Sequence, residues 1–125
     1  MNVALLLITH KNIGNDMMTI TSSILDDEFD NAACIEIPMD ADVDAKKQHI
    51  ADTLERLSTN DGVLILTDSF GSTPCNISNE FLDSRMRVLV SGLNLPILRR
   101  IMNYRSLPLA ELKEVALEGG KLGIT

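Results

Sequence analysis

Two residues in this sequence stand where side chains can do chemistry. His10 stands one residue beyond the apolar run Val3-Ala4-Leu5-Leu6-Leu7-Ile8, after Thr9, and Asp68 one residue beyond the run Val63-Leu64-Ile65-Leu66, after Thr67. A histidine beside a carboxylate is held in one tautomer: the ring nitrogen bonded to the carboxylate keeps its proton, and the other nitrogen is left as a nucleophile. Shortly after Asp68, Gly71-Ser72-Thr73-Pro74 has the form of a helix start, with Thr73 as N-cap and Pro74 as first helical residue. The free N–H groups and positive dipole end of such a start suit an anion such as phosphate. Each residue also has a plainer reading. A lone histidine after a strand is often a hydrogen-bonded surface residue, and Asp68 can simply begin a loop as an Asx-turn residue.

The chemistry therefore depends on whether the fold brings these residues together. Neither apolar run alternates with polar residues, so each reads as a strand buried on both faces of a parallel sheet. Between them, Met17, Met18, Thr21, Ile24 and Leu25 recur at helical spacing, giving an amphipathic helix over about 14–26. An acidic connection over 26–31 leads to an edge strand over 33–37, closed by Pro38. Asp40 or Asp42 caps the next helix, whose apolar face is Val43, Ile50, Leu54 and Leu57. Beyond Asp68, a helix over about 74–82 turns Ile77 and Phe81 inward, and a strand over 86–90 follows. A helix capped by Asn94 comes next, then a last helix capped by Ser106 and stopped by Gly119-Gly120. This alternation predicts an α/β fold: one domain over 1–125, an open, mainly parallel sheet in the order 2-1-3-4, and helices on both faces. In that order strands 1 and 3 are neighbours, the switch point lies between them, and His10 and Asp68 face each other across one crevice.

The totals exclude several functions. A net charge of −7 with no concentrated basic stretch argues against a nucleic-acid surface. No apolar run approaches the roughly 18 residues of a membrane span, and the N-terminus lacks a signal-peptide pattern, so a cytoplasmic protein is expected. Cys34 and Cys75 have no CxxC spacing, which argues against a disulfide or zinc site. Cys34 reads as a small buried hydrophobe; Cys75 reads as packing, although the first turn of a helix can lower a thiol pKa. His49 has polar neighbours and reads as solvated. A phosphoaspartate receiver also carries an aspartate after its third strand, but it needs acidic residues after the first to hold magnesium. Here that place is Thr9-His10-Lys11. There is neither a Walker lysine loop nor a GxGxxG motif for a nucleotide.

Three stretches together resemble the IIA component of the mannose/fructose class of the bacterial phosphoenolpyruvate-dependent sugar phosphotransferase system. They are the first strand ending in Thr9-His10, the segment Gly62-Val63-Leu64-Ile65-Leu66-Thr67-Asp68-Ser69-Phe70-Gly71-Ser72-Thr73-Pro74-Cys75-Asn76, and Val90-Ser91-Gly92-Leu93-Asn94-Leu95-Pro96. The resemblance implies a cytosolic phosphocarrier without metal or cofactor. His10 would take a phosphoryl group from the histidine phosphocarrier protein and pass it to a IIB component. Asp68 would bond Nδ1, leaving Nε2 as acceptor. It further implies a homodimer, sometimes with a short antiparallel C-terminal strand exchanged between subunits, although Leu122 to Ile124 is too short to place one here, and contact with the membrane only through IIC and IID components.

On this resemblance Thr73, Ser72 and Gly71 form the phosphate-binding loop, with the Thr73 hydroxyl and the Ser72 and Thr73 amides as donors. Phe70 is a partner contact, and Lys11 is a further candidate contact to phosphate. The sequence departs from the family pattern at Ser72, where glycine is usual, so the loop must accept a Cβ or bend differently. Lys11 also stands where glycine is common. Two alternatives remain beside the phosphocarrier: a regulatory protein whose His10 phosphorylation state is read by a partner without sugar transport, and a dimeric small-ligand module.

Overall fold

In the computed structural model, which describes residues 1–125, β1 (Ala4–His10) lies between two parallel neighbours, β2 (Ala32–Ile37) and β3 (Val63–Thr67). β4 (Arg87–Ser91) adds beyond β3, giving the predicted order β2-β1-β3-β4 with every pair parallel. The central place of β1 follows from its sequence. Val3 through Thr9 are all 0% exposed, and only a strand covered on both faces can carry so continuous a run.

Successive side chains of β1 supply two separate cores. Leu5 and Leu7 join Leu64, Leu66 and Val90 against α1 (Gly14–Leu25), α4 (Leu95–Asn103) and α5 (Leu109–Leu122). Ala4, Leu6 and Ile8 join Ile35, Ile37, Val63 and Ile65 against Ile50 and Leu54 of α2 (Val43–Arg56) and Ile77 of α3 (Thr73–Asn79). Fully burying each Leu or Ile contributes about 1.5–3 kcal/mol, so β1 is anchored from both sides up to the residue before the histidine turn. Asp42 caps α2, its Oδ1 accepting from Ala45 N–H at 3.2 Å, and Asn94 caps α4 through Ile97 N–H at 2.9 Å. No helix is long and apolar enough to cross a membrane.

Several local expectations need correction. Ser72 is the N-cap of α3 and Pro74 its second residue, and the helix ends at Asn79 rather than near residue 82. β4 begins at Arg87 because the Met86 N–H is turned back to the carbonyl of Asp83. Ile24 is 54% exposed and Val43 39%, so neither belongs to an inward helix face. Pro108, not Ser106, precedes the first residue of α5.

The largest departure is at Gly119-Gly120, which lie inside α5 instead of ending it. A Cβ at Gly119 would come within 2.6 Å of Arg100 Cβ, and one at Gly120 within 2.8 Å of Ile97 Cγ1. The pair lets α5 press against α4, and that packing offsets the roughly 0.5–1 kcal/mol each glycine costs in a helix. α5 continues to Leu122, and the sheet of the single chain has four strands.

Candidate functional site

Parallel pairing of β1 with β3 sets Ile8 opposite Thr67, so the two chains leave the sheet side by side, one toward His10 and the other directly into Asp68. The result is a close pair: His10 Nδ1 lies 2.7 Å from Asp68 Oδ2. The same Oδ2 accepts the main-chain N–H of His10 at 3.1 Å. A carboxylate only accepts, so Nδ1 carries the ring proton and Nε2 presents its lone pair. Asp68 is 9% exposed and His10 31%. The carboxylate is thus nearly enclosed while the ring reaches solvent. Asp68 Oδ1 is buried with no partner, so the aspartate is held through Oδ2 alone.

Nε2 makes no hydrogen bond. The His10 ring lines a cleft of about 170 Å³ together with Ile37, Pro38, Met39, Ala41, Val43 and Thr73. Ile37 is the register partner of His10 in β2, so the β2–α2 connection walls the histidine on one side and the β3–α3 loop walls it on the other. A wider depression of about 690 Å³ lies at the far end of α1, lined by residues such as Ser22, Asp26 and Glu28; none of the residues above reaches it.

The loop after Asp68 sorts its polar groups into bound and free. The Ser72 hydroxyl donates to the Ser69 carbonyl at 2.6 Å, and the Ser72 amide donates to the same oxygen at 3.3 Å. Both are therefore engaged within the loop. The Thr73 amide and hydroxyl have no partner in the chain, and Thr73 shares the cleft with His10. Ser72 sits at φ −77° and ψ 170°, an extended conformation open to any side chain, whereas Gly71 carries the left-handed φ of +78°. The loop accepts the Ser72 Cβ for this reason: the residue that needs glycine's freedom is the one before it. Lys11 is exposed and forms no ion pair, and Phe70 is 84% exposed.

Two residues were missed in the sequence. Met39 is 93% exposed and stands at the lip of the cleft; its signal was a solitary large apolar residue between Pro38 and the acidic Asp40 and Asp42. Thr9 is fully buried, yet its hydroxyl touches the main chain on both sides of the β1–α1 turn. Its signal was the polar residue ending an otherwise apolar run. Cys34 lies beneath the same turn, where a Cβ on Gly14 would collide with its Sγ. Burial, reinforced by the charge of Glu36, pushes the Cys34 thiol up to about 12. Cys75 is buried at 1% exposure and serves packing.

Fold and site together define an open α/β domain with a carboxylate-held histidine at the switch point of its sheet. A family model described as EIIA-man, PTS system fructose IIA component, matches residues 4–116, and the chain belongs to that family. No curated protein matches the sequence. Among solved structures, the mannose/sorbose specific IIA subunit of the phosphotransferase system from Enterococcus faecalis is 23% identical with a TM-score of 0.87, covering 100% of this chain and 94% of its own. The phosphotransferase system component EIIA from Streptococcus agalactiae is 17% identical with a TM-score of 0.85, covering 98% and 95%. The PTS IIA protein associated with the fucose utilization operon from Streptococcus pneumoniae is 22% identical with a TM-score of 0.78, covering 94% and 90%. At these identities the likeness establishes the fold. Family membership supports a phosphocarrier role in a sugar phosphotransferase system and does not favour the purely regulatory alternative.

Proposed function

We propose that this protein is a cytosolic phosphocarrier that accepts a phosphoryl group on Nε2 of His10 from the histidine phosphocarrier protein and passes it to a sugar-specific IIB component. The observation that carries the reading is the pairing of Nδ1 with Asp68 at 2.7 Å, which leaves Nε2 as the one free ring nitrogen at a cleft. In transfer, the Nε2 lone pair attacks phosphorus while the P–N bond of the donor's phosphohistidine breaks and returns its electron pair to the donor ring. Nδ1 keeps its proton throughout. The phosphorylated ring then bears positive charge, which the fixed carboxylate of Asp68 offsets without having to reorganise.

Phosphoryl transfer of this kind rests on in-line positioning and charge stabilisation more than on covalent help from the protein. The unpartnered amide and hydroxyl of Thr73 are the groups available to the incoming phosphoryl oxygens. Lys11, exposed and without an ion pair, supplies a cation near a group carrying about −1.5 to −2 charges. Met39, which lines the His10 cleft, and Phe70, exposed on the loop that follows Asp68, are the apolar side chains on which donor and acceptor proteins would rest.

The test is direct. Incubation with phosphoenolpyruvate, enzyme I and the histidine phosphocarrier protein should place an acid-labile phosphate on the wild type and none on His10→Ala, and a IIB component should remove it. No label on the wild type, or equal label on His10→Ala, ends the reading.

A further inference from the structure

The β1–α1 connection is short: after His10 only Lys11, Asn12 and Ile13 precede α1, with Asn12 in a left-handed conformation at φ 69°. The N-cap position, Ile13, has no side chain able to cap, so the first helical N–H groups need acceptors from elsewhere. One comes from the strand. Thr9 Oγ1 accepts the Gly14 N–H at 2.9 Å and donates its own proton to the carbonyl of His10 at 2.8 Å. Thr9 is 0% exposed, and both capacities of its hydroxyl are used.

His10 is consequently held at three points by two side chains. Asp68 Oδ2 accepts from its main-chain N–H and its ring Nδ1–H, and Thr9 Oγ1–H donates to its carbonyl. The peptide groups on both sides of the histidine Cα are fixed, so the direction in which the ring leaves the backbone is set by the main chain as well as by the ring's own contact with Asp68. The Gly14 side is equally tight. A Cβ there would collide with Cys34 Sγ and come within 2.9 Å of Thr9 Oγ1, so strand end and helix start meet with no slack.

We infer that Thr9 is a positioning residue for phosphoryl transfer: its buried hydroxyl ties the His10 carbonyl to the start of α1 and thereby sets where Nε2 points. This rests on the phosphocarrier reading of His10 and adds to it a residue that touches neither phosphate nor partner. Without the hydroxyl the His10 carbonyl and the Gly14 N–H lose their common partner, the turn relaxes, and the ring is no longer held where Nδ1–H meets Asp68, so both tautomers become populated. Displacements of about 1 Å at a reacting atom slow a positioned reaction by about 100-fold.

The experiment compares wild type, Thr9→Val, which keeps the branched shape without the hydroxyl, and Thr9→Ser, which keeps the hydroxyl. Single-turnover transfer from the phosphorylated histidine phosphocarrier protein should slow about 10- to 100-fold in Thr9→Val with the donor's KM unchanged, and recover in Thr9→Ser. Ring ¹⁵N spectra should show one Nδ1–H tautomer for His10 in wild type and Thr9→Ser, and a mixture in Thr9→Val. If Thr9→Val does not fold, Thr9→Cys replaces it under the same measurements. A lower melting temperature with an unchanged rate and tautomer, or a Thr9→Ser as slow as Thr9→Val, overturns the inference. Should the wild type take no label at all, the phosphocarrier reading is what falls, and the tautomer spectra still decide whether Thr9 orients the ring.

Discussion

A single oxygen, Oδ2 of Asp68, accepts both the ring Nδ1–H and the main-chain N–H of His10, at 2.7 and 3.1 Å. The two contacts do different things. The first selects the tautomer and, in the proposed transfer, would balance charge that builds on the ring; the second ties the end of β3 to the end of β1. An Asp68→Asn variant presents an amide oxygen in the same place and can retain both contacts, but not the negative charge. The protein should fold with a near-normal melting temperature while phosphoryl transfer to His10 slows about 100-fold. Rapid-quench transfer kinetics beside thermal melts measure this; an unchanged rate would remove Asp68 from the mechanism.

Met39 and Phe70 are 93% and 84% exposed, higher than any other large apolar residue in the chain. Side chains so free contribute little to the fold, and replacing them should shift stability by no more than about 0.5 kcal/mol. Met39→Ser and Phe70→Ser should each raise the KM for the phosphorylated donor severalfold, leave the single-turnover rate at saturation intact, and act nearly additively because they sit on separate loops. Steady-state labelling at varied donor concentration is the measurement. A normal KM in the double variant would show that the partner rests elsewhere.

The Cys34 thiol, pushed up to about 12 by burial and then by the charge of Glu36, gives the protein a signature in alkali. Its ordinary value is 9.0, so the folded chain holds this proton through a range where the unfolded chain has lost it. The contribution to stability is fully present below pH 9 and declines as pH climbs toward 12. Denaturant unfolding of wild type and Cys34→Ala should therefore show a steeper alkaline loss for the wild type across that window, whatever the offset from the missing sulfur. The thiol should also resist alkylation at pH 8 in the native protein and react readily once it is unfolded.

What was legible in the sequence was what depends on long-range burial acting through simple patterns. The runs Val3–Ile8 and Val63–Leu66, with no polar member, read as central strands, and the common order 2-1-3-4 made them neighbours; the meeting of His10 with Asp68 was expected from that order, and the two side chains do meet. What was not legible depended on how close another element comes. Gly119-Gly120 is a stop signal in isolation and a contact surface once α4 lies against it, and nothing local distinguishes the two. Ile24 fits a helical stripe but points outward, since α1 rests on the sheet through Met17, Met18 and Thr21. Ser72 looked like a fault in the loop because a residue's φ is not written in its letter.

That last point relocates where the loop is brittle. With the left-handed turn at Gly71 and an extended backbone at Ser72, the two adjacent positions tolerate drift very differently. A side chain at 71 meets no neighbour but must adopt a backbone shape L-residues resist, while one at 72 needs only to leave the Ser69 carbonyl a donor. In a lineage descended from this chain, or a library built on it, position 71 should stay fixed and position 72 should wander among small residues, giving a place in the loop after Asp68 that can be varied without rebuilding the histidine's setting.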